Sequence, residues 1–143
     1  MQKVISILMA AMVATIMSLS FTSCDNADSK LEKVVTEFNK TQAPMQIGGG
    51  VTLQKLSLDK TQKLLVYEFT TIEAGVSIDD IKPMLSQQMD QMLPVLAQDK
   101  NTQELFKVLS EADYGVKFEF TGKRSHKKAD ATIPASRVKE LLK

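Results

Sequence analysis

Cys24 and His126 are the chain's one thiol and its one imidazole, and they lie far apart in the sequence. A zinc site needs three or four ligands at defined spacing, and these two residues do not supply such a set. The adjacent carboxylates Asp79 and Asp80 have the look of an acid–base pair. Their place at the start of a helical pattern gives them a simpler task, which is to favour the helix macrodipole. Gly48-Gly49-Gly50 invites comparison with a phosphate cradle. That device needs a strand before it, a Lys-Ser/Thr after it, and then a helix whose N-terminus meets the phosphate. The glycines lead instead into "VTLQKLSL", a β-like run, so they read as the flexible entry to a strand. The sharpest charge cluster is "GKRSHKK", with Lys123, Arg124, His126, Lys127 and Lys128 at the tip of an expected hairpin. Such a tip suits an anionic surface of lipid, polysaccharide or an acidic partner, each basic residue there adding about 1 kcal/mol. It also serves as a solvated turn whose charges deter edge pairing.

The chain has 143 residues with formal net charge +1, 43% hydrophobic and 24% charged, the profile of a globular protein. Its charge is unevenly placed. The first 23 residues hold one charged side chain, Lys3, whereas Asp25 onward carries all 17 acids and the remaining bases. The neutral part after the break lacks the basic excess of nucleic-acid binders, so no nucleic-acid partner is expected. It is long enough to bury a core without disulfides or metals.

Met1-Gln2-Lys3 is a short basic start, and Val4 to Ser20 is apolar and uncharged, so residues 1–23 read as an export signal. Four of the eight methionines, Met1, Met9, Met12 and Met17, belong to it. Phe21-Thr22-Ser23-Cys24 then sets two small residues before a cysteine at the end of the apolar run. This stretch resembles the lipobox of bacterial lipoproteins, and the resemblance covers only the leader. Phe21 stands where the commonest pattern has leucine, and looser patterns of this kind are familiar in Bacteroidetes. The resemblance implies a diacylglyceryl thioether on Cys24, cleavage just before it, and an acyl chain on the new amino group. Cys24 is thereby consumed, which leaves no Cys–His pair or triad for nucleophilic catalysis; a site built from carboxylates, Tyr67 or Lys stays open. Two or three lipid chains hold a protein stably on a membrane. Residues 24–28 would be a short tether, allowing the domain to stand roughly 15 Å from the lipid. Asp25 and Asp28 fit inner-membrane retention as well as surface export.

The elements that must position the remaining residues are set by periodicity. Ser29-Lys30-Leu31-Glu32 has the form of a capping box, with Leu31, Val34, Val35 and Phe38 at helical spacing to about Asn39. Val51–Leu58 and Lys63–Ile72 read as two strands of a hairpin turning at Asp59-Lys60-Thr61-Gln62. Ile78, Ile81, Leu85, Met89, Met92 and Leu96 line one side of a helix, with Pro83 placed in its first turn by a start near Asp80. Pro94 is expected to kink or end it. A third helix fits Asn101 to Ala112, capped by Asn101. "YGVKFEF" alternates with one dry and one wet face, pairs with Lys128–Ile133, and is followed by a short helix opened by Pro134. The expected architecture of residues 29–143 is a single α+β domain. Its antiparallel sheet of about four strands, in two hairpins, packs against helices on one face.

These observations point to a lipid-anchored protein of the bacterial cell envelope, outside the cytoplasm. Its domain is expected to be non-catalytic and to bind an envelope protein or another envelope component, with no cofactor beyond the lipid on Cys24. Lys123, Arg124, Lys127 and Lys128 are the candidate anionic-surface contacts. A small-ligand module with an apolar pocket lined by Tyr67, Phe69, Phe118 and Met92 is one alternative, and a structural part of an envelope complex is another.

Overall fold

The computed structural model describes residues 26–48, 50–72 and 78–142. The expected signal segment and Cys24 lie outside them. Helix α1 spans Ala27–Thr41 and starts earlier than the capping-box pattern predicts. Asn26 is its N-cap, accepting from the Ser29 N–H through Oδ1 at 2.8 Å. Asparagine caps as well as serine, and Asp28 in the first turn complements the dipole. The helix buries Leu31, Val34 and Phe38.

Strand β1, Met45–Gly48, occupies what reads in sequence as a loop. It pairs antiparallel with β2, Val51–Asp59, and Gly48 lies opposite Val51. Gly50 comes next at φ +79°, a backbone conformation that glycine enters without penalty. Strand β3, Leu64–Thr71, completes the expected hairpin, in which Asp59 Oδ1 accepts from the Gln62 N–H at 3.0 Å. The β2–β3 register shifts between Leu53 and Lys55. This bulge lets Leu53 and Leu56, three residues apart, both reach the core.

Helix α2 runs Ile78–Gln98 with both Pro83 and Pro94 inside it, so Pro83 is not in its first turn and Pro94 does not end it. Burial of Ile78 as well as Ile81 and Leu85 draws the first turn into the helix, leaving Pro83 beyond it. The helix passes through Pro94 and stops at Asp99, where the Gln103 side chain donates to the Ala97 carbonyl at 2.7 Å. Helix α3, Lys100–Ala112, is capped by Asp99 rather than Asn101, with Asp99 Oδ1 accepting from the Thr102 N–H at 3.1 Å.

Strands β4, Gly115–Gly122, and β5, Lys128–Ile133, form the second hairpin, and helix α4, Ala135–Leu141, comes after Pro134. The sheet has five strands in the order β1-β2-β3-β4-β5 and is mixed, because β3 and β4 run parallel. An all-antiparallel sheet of about four strands is therefore not what forms. A parallel neighbour needs a long crossover, and α2 with α3 supplies it. The parallel start is tight: a Cβ on Gly115 would lie 2.4 Å from the Ile133 carbonyl oxygen, so no side chain fits there. The result is one α+β domain. The helices cover the sheet face that carries Leu53, Leu56, Leu65, Tyr67, Phe69, Val116, Phe118, Phe120 and Ile133, all buried.

Candidate functional site

The basic tip joins β4 to β5. The Gly122 N–H donates to the Lys127 carbonyl at 2.9 Å and the His126 N–H to the Gly122 carbonyl at 3.0 Å. His126 takes φ +58° to close the turn. The Lys123 N–H donates to the Thr71 carbonyl at 3.0 Å, which ties the tip to the end of β3. All four predicted cationic residues are exposed, yet they are differently engaged. Lys127 Nζ donates to Asp79 Oδ2 at 2.8 Å and Lys128 Nζ to Glu119 Oε1 at 3.3 Å. Asp79, in the first turn of α2, thus also holds the tip. Lys123 and Arg124 are the other exposed cations of the tip, and Ile72, next to the Thr71 whose carbonyl Lys123 reaches, is a large apolar side chain 51% exposed. That isoleucine is positioned by its N–H donating to the Gly50 carbonyl at 3.0 Å.

The sheet face turned away from the described helices brings together residues that sequence spacing does not connect. Parallel pairing sets Glu68 opposite Glu119, and Glu119 lies opposite Asp130 on the next strand. Like charges in directly opposed positions repel, and here they are offset by cations. Lys55 Nζ lies 3.8 Å from Glu68, while Lys117 and Lys128 lie 3.7 and 3.3 Å from Glu119. Ser57 Oγ also donates to Glu68 at 3.1 Å. Among the described residues no group of His, Cys, Asp and Glu has the arrangement of a metal site.

The proposed apolar pocket is filled. Tyr67, Phe69 and Phe118 are no more than 1% exposed. Their rings pack on one another, with centroids 5.3 Å apart for Tyr67 and Phe118, and Phe69 stacks on Phe120 at 4.6 Å. These side chains are core, not pocket wall; the Met92 side chain lies outside the described residues. A cleft of about 330 Å³ opens elsewhere, among Leu93, Thr132, Ile133, Ser136, Arg137 and Glu140. Arg137 and Glu140, one turn apart on α4, form an ion pair at 3.0 Å on its wall. No periodic pattern in the sequence marks it, because it arises where α2 meets the β5–α4 junction.

The opposite end of the sheet gathers the Asp59–Lys63 turn, the first turns of α1, and Asp113-Tyr114. Lys60 Nζ lies 2.8 Å from Glu32 Oε1, and the hydrogen bond to that carboxylate raises the lysine pKa. Lys139 Nζ donates to Asp113 Oδ1 at 2.8 Å and lowers the carboxyl pKa. Burial, with Asp28 nearby, pushes the Tyr114 phenol up.

No protein-family model matches the chain, and no curated protein does. Its fold is similar to that of a putative secreted protein from Pseudomonas aeruginosa, known from a crystal structure. The TM-score is 0.58 at 13% identity, covering 78% of this chain and 92% of that one. The likeness is one of fold: an α+β domain with helices on one face of a five-stranded mixed sheet. Among the described residues, no helix is long and apolar enough to cross a membrane.

Proposed function

We propose that this protein is a lipid-anchored component of a bacterial cell envelope whose α+β domain binds another envelope component and is not an enzyme. The observation that carries the reading is Phe21-Thr22-Ser23-Cys24 at the end of an uncharged apolar run. Two further features support it. Helix α1 begins at Ala27, only three positions after Cys24, as suits a domain held close to a membrane. The similar fold occurs in a protein described as a putative secreted one. The binding surface we favour is the basic tip, through Lys123 and Arg124 with contributions from Lys127 and Lys128.

Intact mass and fractionation test the anchor on the protein expressed in a bacterium, wild type against Cys24→Ser. The expected mature chain begins at Cys24, is heavier by a diacylglyceryl group and an acyl chain, and sediments with membranes. The Cys24→Ser chain is expected to leave them. A wild-type chain cut elsewhere, with an unmodified thiol, would defeat the reading.

A further inference from the structure

Ion pairing and strand direction fix which end of the domain lies nearest Cys24. Glu32 Oε1, in the second turn of α1, meets Lys60 Nζ of the β2–β3 turn at 2.8 Å. Asn39, near the other end of the helix, bonds to the Leu56 backbone, further back along β2. Helix α1 therefore runs antiparallel to β2. At about 1.5 Å per residue, Asn26 lies about 9 Å beyond Glu32 on the same heading, so α1 begins at the end of the domain that carries the Asp59–Lys63 turn. The same end gathers the start of β4, since the Gly115 N–H donates to the Lys63 carbonyl at 2.9 Å. It also holds Lys139 of α4, which donates to Asp113 at 2.8 Å. Strand β4 leads away from this entry pole, and from Gly115 to Gly122 it advances about 23 Å at about 3.3 Å per residue. The basic tip therefore lies at the opposite pole, with the first turn of α2, whose Asp79 holds Lys127. Cys24 is two positions before Asn26, so their Cα atoms are at most about 7 Å apart.

We propose that the entry pole is the lipid-facing surface of the domain, with the exposed Lys60–Lys63 apex at the headgroups, and that the domain stands upright with the Gly122–Lys127 tip pointing away from the anchoring bilayer. This deepens the proposed function and rests on the anchor at Cys24. A reach of about 7 Å from Cys24 to Asn26, against about 23 Å between the poles, keeps the entry pole at the surface. Tipping the domain over would need a side that the membrane attracts. The sheet face turned away from the described helices offers no such attraction, since Glu68, Glu119 and Asp130 are interspersed there with Lys55, Lys117 and Lys128. The entry pole is itself mixed in charge, with Lys60 paired to Glu32 and Lys139 to Asp113, so these pairs present a headgroup layer with no excess of either sign. An envelope component bound by the tip therefore approaches from the side away from the anchoring leaflet. The tip's cations are not a second hold on that leaflet.

The lipidated full chain lends itself to a direct test, because a thioether on Cys24 leaves an introduced cysteine as the sole thiol. Thr61→Cys at the entry pole, Thr36→Cys along α1 and Lys123→Cys at the tip, all exposed positions, each carry one fluorophore. The labelled chains are placed on phosphatidylcholine vesicles containing headgroup nitroxide lipid. Quenching is expected to fall in the order of positions 61, 36 and 123, with a several-fold difference between the first and the last. Intact mass of the same samples reports the anchor separately. With Cys24 lipidated, equal quenching at positions 61 and 123 means a domain lying on its side, and stronger quenching at position 36 or 123 than at 61 means another face at the lipid. Either result overturns the pole assignment while leaving the anchor intact. An unmodified Cys24 overturns the anchor, and the pole assignment with it. The order is expected to persist when phosphatidylglycerol is included in the vesicles. A rise at position 123 to the level of position 61 on those vesicles shows the tip holding the anchoring leaflet, and overturns the assignment.

Discussion

Asn39 closes a gap that the short strand β1 leaves open. That strand covers β2 only from Val51 to Leu53, so beyond it the outer edge of β2 has no neighbouring strand among the described residues. The Asn39 side chain takes the place of one: its Nδ2 donates to the Leu56 carbonyl and its Oδ1 accepts from the Leu56 N–H, both at 2.8 Å. A hydrogen bond contributes about 0.5 to 1.5 kcal/mol net, so Asn39→Ala removes about 1 to 3 kcal/mol. Alanine's higher helix propensity returns about 0.6 kcal/mol. Water reaches the exposed asparagine, so the lower half of the range, about 1 to 2 kcal/mol, applies, and the propensity gain leaves a net expected loss of about 0.4 to 1.4 kcal/mol. At roughly 3 to 6 °C for each kcal/mol in a domain of this size, the melting temperature should fall by about 1 to 8 °C. Urea denaturation should show a lower midpoint at unchanged slope, and the Leu56 amide should lose exchange protection beyond the global change. Thr36→Ala, at an exposed position of the same helix, calibrates the propensity gain. An Asn39→Ala protein at least as stable as wild type, with Leu56 still protected, would refute the argument.

Gly115→Ala forces backbone to move, since the new Cβ would lie 2.4 Å from the Ile133 carbonyl oxygen; a loss of about 3 kcal/mol is expected, and a change under about 1 kcal/mol in denaturation would contradict the packing. Thr102 is 0% exposed and its hydroxyl has no hydrogen-bond partner among the described residues. Thr102→Val, close to isosteric, should therefore raise stability by about 1 kcal/mol, and a destabilised variant would mean that the hydroxyl is satisfied. Tyr114 and Lys60 both have pKa values raised above the ordinary 10.0 and 10.5. The folded state holds their protons longer, so their contribution is present at neutral pH and lost as pH rises through and beyond those values; Tyr114→Phe should flatten that alkaline decline in thermal melts. Asp113, lowered below 3.8 by Lys139, acts in the opposite sense, its contribution disappearing as pH falls below that value. Lys139→Ala should remove this acid-side dependence without shifting the alkaline one.

Local signals alone determined a good deal of this protein. Alternation in "YGVKFEF" correctly separates buried Val116, Phe118 and Phe120 from the wetter Lys117 and Glu119. The Asp59–Gln62 turn, the Lys128–Ile133 strand and the helix after Pro134 also lie where residue types place them. These features depend on neighbours one to four positions away, and such neighbours are visible in a sequence. The proposed export leader and lipid site at Cys24 rest on residue order alone. Strand β1 was not legible, because Met45-Gln46-Ile47-Gly48 is too short to show a period and is a strand only through β2. The helix limits moved for a similar reason, since burial of Ile78 outweighs the preference that would place Pro83 in a first turn. Only the tertiary structure decided that the two hairpins meet through parallel β3 and β4. That pairing joins residues about fifty positions apart, such as Glu68 and Glu119, and depends on how α2 and α3 pack across the sheet. It also set the basic tip at the pole opposite Asn26, because strand direction, which no local pattern encodes, fixes which end of the domain each turn occupies.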